Sequence, residues 1–149
     1  MKEILFKAKR KGRVDGSDYI SPYKNGDWVY GLVSKQYKGH WADEFDDEMT
    51  DENGVSGITI DRNTICEYTG FDDSLGQKIF DGDRLMLIDE DDTYYVAQWG
   101  DCYQALHDKF PFIPEMVFMN KRLGKVASTS RVIGNICDNI GVKVKDDDI

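Results

Sequence analysis

Apolar residues in this chain come in short runs separated by glycine and acidic turns, and few segments keep a helical period. Glu3 to Ala8 alternates, with Ile4 and Phe6 expected on one face of a first strand. The basic stretch Lys7 to Arg13 leads to Gly12 and Gly16 and reads as a solvated turn. Asn25-Gly26-Asp27 is a turn signal that runs into Trp28-Val29-Tyr30-Gly31-Leu32-Val33, a strand by its aromatic and β-branched content. Asp43 to Asn53 carries Asp43, Glu44, Asp46, Asp47, Glu48, Asp51 and Glu52 with no base, so self-repulsion predicts an exposed or disordered loop. Order resumes at Gly57-Ile58-Thr59-Ile60, and after a turn at Asp61-Arg62-Asn63 a strand runs from Thr64 to Tyr68.

Thr69 to Gly76 reads as a loop, and Lys78-Ile79-Phe80 as a short strand. Asp81-Gly82-Asp83 then forms a tight turn, because glycine at its centre accepts positive φ cheaply. Leu85 to Ile88 is a buried strand, Asp89 to Asp92 a turn, and Thr93 to Trp99 an aromatic strand. Asp101 to Phe110 fits strand and helical turn equally, and Pro111 and Pro114 break regular structure after it. Glu115 to Met119 and Arg131 to Cys137 complete the strands, and the tail ending Asp146-Asp147-Asp148 is expected to fray. Many short strands between turns predict a mainly β protein with little helix.

Composition narrows the function more than the fold. With 149 residues the chain is long enough for one ordinary domain or two very small ones. The net charge of -9 opposes binding to phosphate backbones, so duplex nucleic acid is disfavoured as a partner. An acidic mimic of nucleic acid, or single-strand binding through aromatic residues, keeps a nucleic-acid-related role open as an alternative. Cys66, Cys102 and Cys137 are odd in number and widely spaced, which argues against a disulfide framework and against a zinc site. No signal peptide is visible at Met1 to Ile4, and no segment approaches the ~20 apolar residues that span a bilayer. A cytoplasmic protein with no membrane partner is expected.

Candidate chemistry is sparse. Asp81 and Asp83 could form a carboxylate pair for a metal-dependent hydrolase, the weakest of the alternatives, or could bond backbone N–H groups in a turn before a strand. An EF-hand loop starting at Asp89 would place Tyr94 where glycine is needed and Gly100 where glutamate is needed, so it fails. His40 and His107 have no partner at metal-ligand spacing, and Cys102 with His107 lacks an orienting third group. No phosphate-binding, dinucleotide or nucleophile-elbow motif occurs. Hence no catalytic, metal or cofactor-binding residue and no cofactor is assigned. Trp28, Tyr30, Tyr94 and Trp99 are the candidate interaction residues, set against a reading in which strand alternation sends half of such aromatics into the core. The basic segment Lys7 to Arg13 is the one positive patch and could meet an acidic neighbour, including another subunit's acidic loop.

Thr64-Ile65-Cys66-Glu67-Tyr68-Thr69-Gly70-Phe71-Asp72-Asp73-Ser74-Leu75-Gly76-Gln77-Lys78-Ile79-Phe80-Asp81-Gly82-Asp83 resembles the central motif of the YopX family. Lys2 to Ala8 and Gly26 to Gly31 resemble its opening strands, and Arg131 to Asn139 resembles its closing segment. Phe71 stands where leucine is usual and Cys137 where tyrosine or histidine is usual. The structural motif residues carried over are Tyr68, Gly70, Gly76, Gly82, Asp83, Gly134 and Asn135. The resemblance implies a small SH3-like β-barrel over 61–142, preceded by an N-terminal β segment over 1–60 and followed by a flexible tail over 143–149. It also implies a phage or prophage accessory protein in the cytoplasm of a bacterial host, self-associating as a homo-oligomer and binding a phage or host protein. No enzymatic activity comes with it, and a non-enzymatic interaction module is the leading expectation.

Overall fold

A computed structural model describes residues 4–17, 21–88, 94–98 and 116–138. It contains ten strands: β1 (Phe6–Lys9), β2 (Trp28–Lys35), β3 (Asp47–Asp51), β4 (Ile58–Ile60), β5 (Cys66–Asp72), β6 (Lys78–Phe80), β7 (Asp83–Leu87), β8 (Tyr94–Gln98), β9 (Met116–Met119) and β10 (Ser130–Asn135). One short helix, α1 (Asn120–Val126), precedes β10. The protein is therefore mainly β. The expected turn at Asp89 to Asp92, the segment Asp101 to Phe110, Pro111, Pro114, Trp99, Cys102, His107 and the tail all lie outside the described residues.

The strands form two sheets, ordered β4-β3-β2-β1-β5-β6 and β10-β7-β8-β9. Every pairing is antiparallel except β8 with β9, where Tyr95 lies opposite Met116 in a parallel register. The first sheet coils strongly. Beyond β1, Arg10 bridges Ile60 of β4, and Lys11 N donates to Thr59 O at 2.9 Å while Asp61 N donates to Lys9 O at 2.8 Å. This is one bridge with its flanking bonds, and no closed barrel is found among the described residues. The first sheet also crosses residue 60 without interruption, since β5 pairs with β1 through Phe6 opposite Glu67.

Ala8, Val29, Met49, Ile58 and Ile60 fill the concave side of the first sheet. Leu5, Cys66, Tyr68, Phe80 and Cys137 form a second cluster on its other face, and Ile79, Leu85, Ala97, Leu123 and Ala127 a third beneath the second sheet. Helix α1 belongs to this third cluster through Leu123.

Four sequence expectations are corrected. Ile4 does not share a core face with Phe6: it is 73% exposed, and Leu5 and Ala8 are the buried residues. The basic stretch after Phe6 is not a solvated turn, because β1 is central and covered on both faces, so Lys7, Lys9 and Arg10 are buried. The acidic block is not an open loop. Ala42–Glu44 is a 3-10 turn and β3 comes after it, with Asp47, Met49 and Asp51 buried. Its buried carboxylates have partners: Asp47 Oδ1 meets Arg62 Nη2 at 3.3 Å and accepts from Tyr37 N, while Asp51 accepts from Asn53 N, Val55 N and the Tyr23 hydroxyl. Finally, β5 extends through part of the expected loop to Asp72, with Gly70 at φ 86° where its pairing with β6 loses register. No helix among the described residues is long and apolar enough to cross a membrane.

Candidate functional site

Alternation along β1 sends Phe6 and Ala8 to the concave core and leaves Leu5, Lys7 and Lys9 on the opposite face. The same alternation puts Trp28, Tyr30 and Leu32 of β2 beside them. Tyr30 and Leu32 remain 38% and 52% exposed on that face. Across from them runs β10, the edge strand of the second sheet. Between the two lies a cleft of two adjoining pockets, of about 300 and 290 Å³. Both are lined by Lys7, Tyr30, Gln77 and Val132; Phe80 and Asp83 add to one, and Trp28, Gly134, Asn135 and Asp138 to the other.

The floor of the cleft is a buried ion pair. Gly82, at φ 83°, reverses the chain after Phe80, and Asp83 then points back under the turn. Asp83 Oδ2 accepts from Phe80 N at 2.7 Å. Its Oδ1 accepts from Lys7 Nζ at 2.8 Å and from Asn135 Nδ2 at 2.7 Å. Asn135 also donates to Asp81 O and accepts from Cys137 N. The Lys7 ammonium lies 4.5 Å from the Trp28 ring centroid and 5.0 Å from that of Phe80, a cation–π arrangement that replaces lost water. Burial works against the Lys7 ammonium, but Asp83 outweighs it and holds the Lys7 pKa above its ordinary value. Burial pushes the Asp83 carboxyl up, with Lys7, Asn135 and Phe80 N–H acting in the opposite direction.

Asp138 closes one end of the cleft. Trp28 Nε1 donates to its Oδ1 at 3.2 Å, Asn135 N donates to its Oδ2 at 2.8 Å, and Lys9 Nζ donates to its backbone carbonyl. The β10 edge is further capped by Asp73, whose Oδ2 accepts from Val132 N and whose Oδ1 accepts from Leu75 N and Gln77 N. The carboxylates of Asp83, Asp73 and Asp138 are thus all engaged in holding elements together. Chemically, the cleft presents aromatic walls over a paired floor, beside a strand edge whose Val132 and Asn135 N–H groups are already bonded to carboxylates.

The residues singled out in the sequence are distributed unevenly. Trp28 and Tyr30 meet at the cleft, with Tyr30 edge-on to Phe80 at 5.6 Å. Tyr94 belongs to β8, in register with Met86, and Trp99 lies outside the described residues. Tyr68 is in the core with its hydroxyl donating to Asp72 Oδ1 at 2.6 Å, and Gly76 turns the chain at φ 79°. Gly134 admits Asp138, since a Cβ there would lie 2.9 Å from Asp138 Oδ2. Among the described residues no group of three or more His, Cys, Asp or Glu could hold a metal ion. Phe80, Gln77, Val132 and Asp138 were not singled out as site residues in the sequence, and Lys7 was named only as part of a basic patch, not as a lysine on the cleft floor. Alternation with Leu5 and Lys9 was the one available sign that Lys7 shares a face with an apolar residue.

A family model described as YopX protein matches residues 22–141. The chain belongs to the YopX family. No significant match is found among curated proteins or among solved structures. In this YopX-family chain the long motif from Thr64 to Asp83 is spent on its own backbone: Thr64 Oγ1 accepts from Lys9 N, Thr69 Oγ1 donates to Ile79 O, and Asp73 and Asp83 clasp β10 and β1.

Proposed function

We propose that this YopX-family protein is a non-enzymatic interaction module, a phage or prophage accessory protein that self-associates and binds another protein in the host cytoplasm. The observation that carries the reading is the cleft: exposed Tyr30 and Leu32 beside aromatic walls, over a floor whose ion pair is already satisfied. Lys7 and Asp83 on the floor are engaged with each other, and a partly exposed aromatic rim above them is what a protein contact uses. The scaffold in this reading is an SH3-like barrel over 61–142, supported by the antiparallel pairs β5–β6, β7–β8 and β7–β10 within that range.

The test is a pull-down from prophage-carrying cells together with sedimentation of the purified chain. Recovery of a protein partner and a concentration-dependent oligomer are expected, and both weaken in Tyr30→Ala. A strictly monomeric profile with no partner recovered overturns the proposal.

A further inference from the structure

A second surface, formed by residues 37–45 on the link between β2 and β3, has a different chemistry from the cleft. Trp41 is 62% exposed and stacks on His40 with ring centroids 4.6 Å apart. Phe45 is 46% exposed and stacks on Tyr37 at 4.8 Å. A large exposed indole carries a solvation cost that most loops avoid. This one is also held in place. Arg62 Nη2 donates to Ala42 O at 2.6 Å and Phe45 O at 2.9 Å, and it meets buried Asp47. The 3-10 turn between the two stacked pairs is thereby fixed before any partner arrives, which lowers the entropic cost of contact.

Charge decides what fits. Asp43 has a fully exposed side chain, Glu44 is exposed, and Asp46 flanks them while accepting from Val14 N. The cation paired with these acids is Arg62, which meets Asp43 at 3.6 Å and Asp47 at 3.3 Å, and Lys38 belongs to the same 37–45 segment. Across the whole chain the balance is -9, so long-range attraction selects a cation as well. Aromatic faces edged by carboxylates suit a guanidinium, which stacks on indole and bonds a carboxylate in the same plane.

We propose that residues 37–45 form a docking surface for an arginine-rich segment of a partner protein, with a guanidinium stacked on Trp41 and paired with Asp43 or Glu44. This names the partner chemistry within the interaction role proposed above and rests on it. The surface is distinct from the Tyr30 cleft.

The experiment is fluorescence anisotropy of labelled Arg/Ser, Lys/Ser and Glu/Ser peptides of equal length titrated with the full chain across a salt series. The Arg/Ser peptide is expected to bind most tightly, the Lys/Ser peptide more weakly and the Glu/Ser peptide not at all. Trp41→Ala keeps every charge and should weaken Arg/Ser binding about tenfold, as loss of a cation–π contact predicts. Asp43→Asn with Glu44→Gln should weaken it and flatten its salt dependence. Thermal melting of each variant confirms the fold. Equal binding of the Arg/Ser peptide to wild type and Trp41→Ala, or equal binding of the Arg/Ser and Glu/Ser peptides, overturns the inference. If peptide binding fails while a partner is still recovered through the cleft, this inference alone falls; if neither is seen, the interaction role falls with it.

Discussion

Lys7 shows what a single residue does here. Its ammonium is buried, paired with Asp83 and faced by two rings. Removing one member of such a pair strands the other charge in a dry site. Lys7→Met is therefore expected to destabilise the protein by roughly 3–5 kcal/mol in denaturant unfolding. The pair also fixes an alkaline response. Lys7 keeps its proton in the folded state beyond 10.5, so its stabilisation is complete below that pH and is lost as pH rises through the higher folded value. Tyr23 acts in the same direction. Burial and its bond to Asp51 push its pKa up from 10.0 to about 12, so between those values the folded state binds the proton that the unfolded chain has released. Unfolding midpoints measured against pH should fall steadily above pH 10.0, and less steeply in Tyr23→Phe. None of this was visible in the sequence, because the partners of Lys7 and Tyr23 are far along the chain and no spacing rule connects them.

At the scale of elements, legibility depended on how local the stabilising contacts are. β2, β4 and β6 were readable because their β-branched and aromatic residues lie between turn glycines and acids that act within a few residues. β3 was hidden because its acids look mutually repulsive until Arg62, Tyr23 and the backbone N–H groups of its own turn are placed around them. Helix α1 was missed for the opposite reason. Its seven residues include Gly124, a poor helix former, and it gains its footing from tertiary contact: Leu123 is buried, and a Cβ on Gly124 would lie 3.0 Å from the Phe71 ring. Gly31 in β2 makes the sharpest test at this scale. A Cβ there would lie 2.0 Å from Thr50 O on the paired strand, so Gly31→Ala must separate β2 from β3. A loss of about 1–3 kcal/mol or more is expected, read as a lowered urea midpoint.

For the molecule as a whole, the sequence supplied the family and the β class, and it named Trp28 and Tyr30 as candidate interaction residues without saying which face either takes. It did not supply the cleft, which needs β1, β2, β6 and β10 brought together. It also suggested a division at residue 60 that the first sheet spans. The consequence is testable. A fragment comprising 61–149 lacks the β1 partner of β5 and the lysine partner of Asp83, and near-ultraviolet circular dichroism should show it without fixed aromatic packing. Adding the 1–60 fragment in trans should restore the signal if the two associate as they do within one chain.

β1 is central in space yet comes early in the order of synthesis. Lys7 leaves the ribosome 76 residues ahead of Asp83, and Asn135 emerges still later. Phe6 can pack against β2, β3 and β4 as soon as Ile60 is made, but Leu5 and Lys7 on the opposite face stay uncovered until Tyr68, Phe80, Asp83 and finally Cys137 have followed. Contacts this distant raise the loop-closure cost of the folding barrier, so refolding from denaturant should be slow for a protein of this size. The waiting face also gives chaperones a defined interval in which to act.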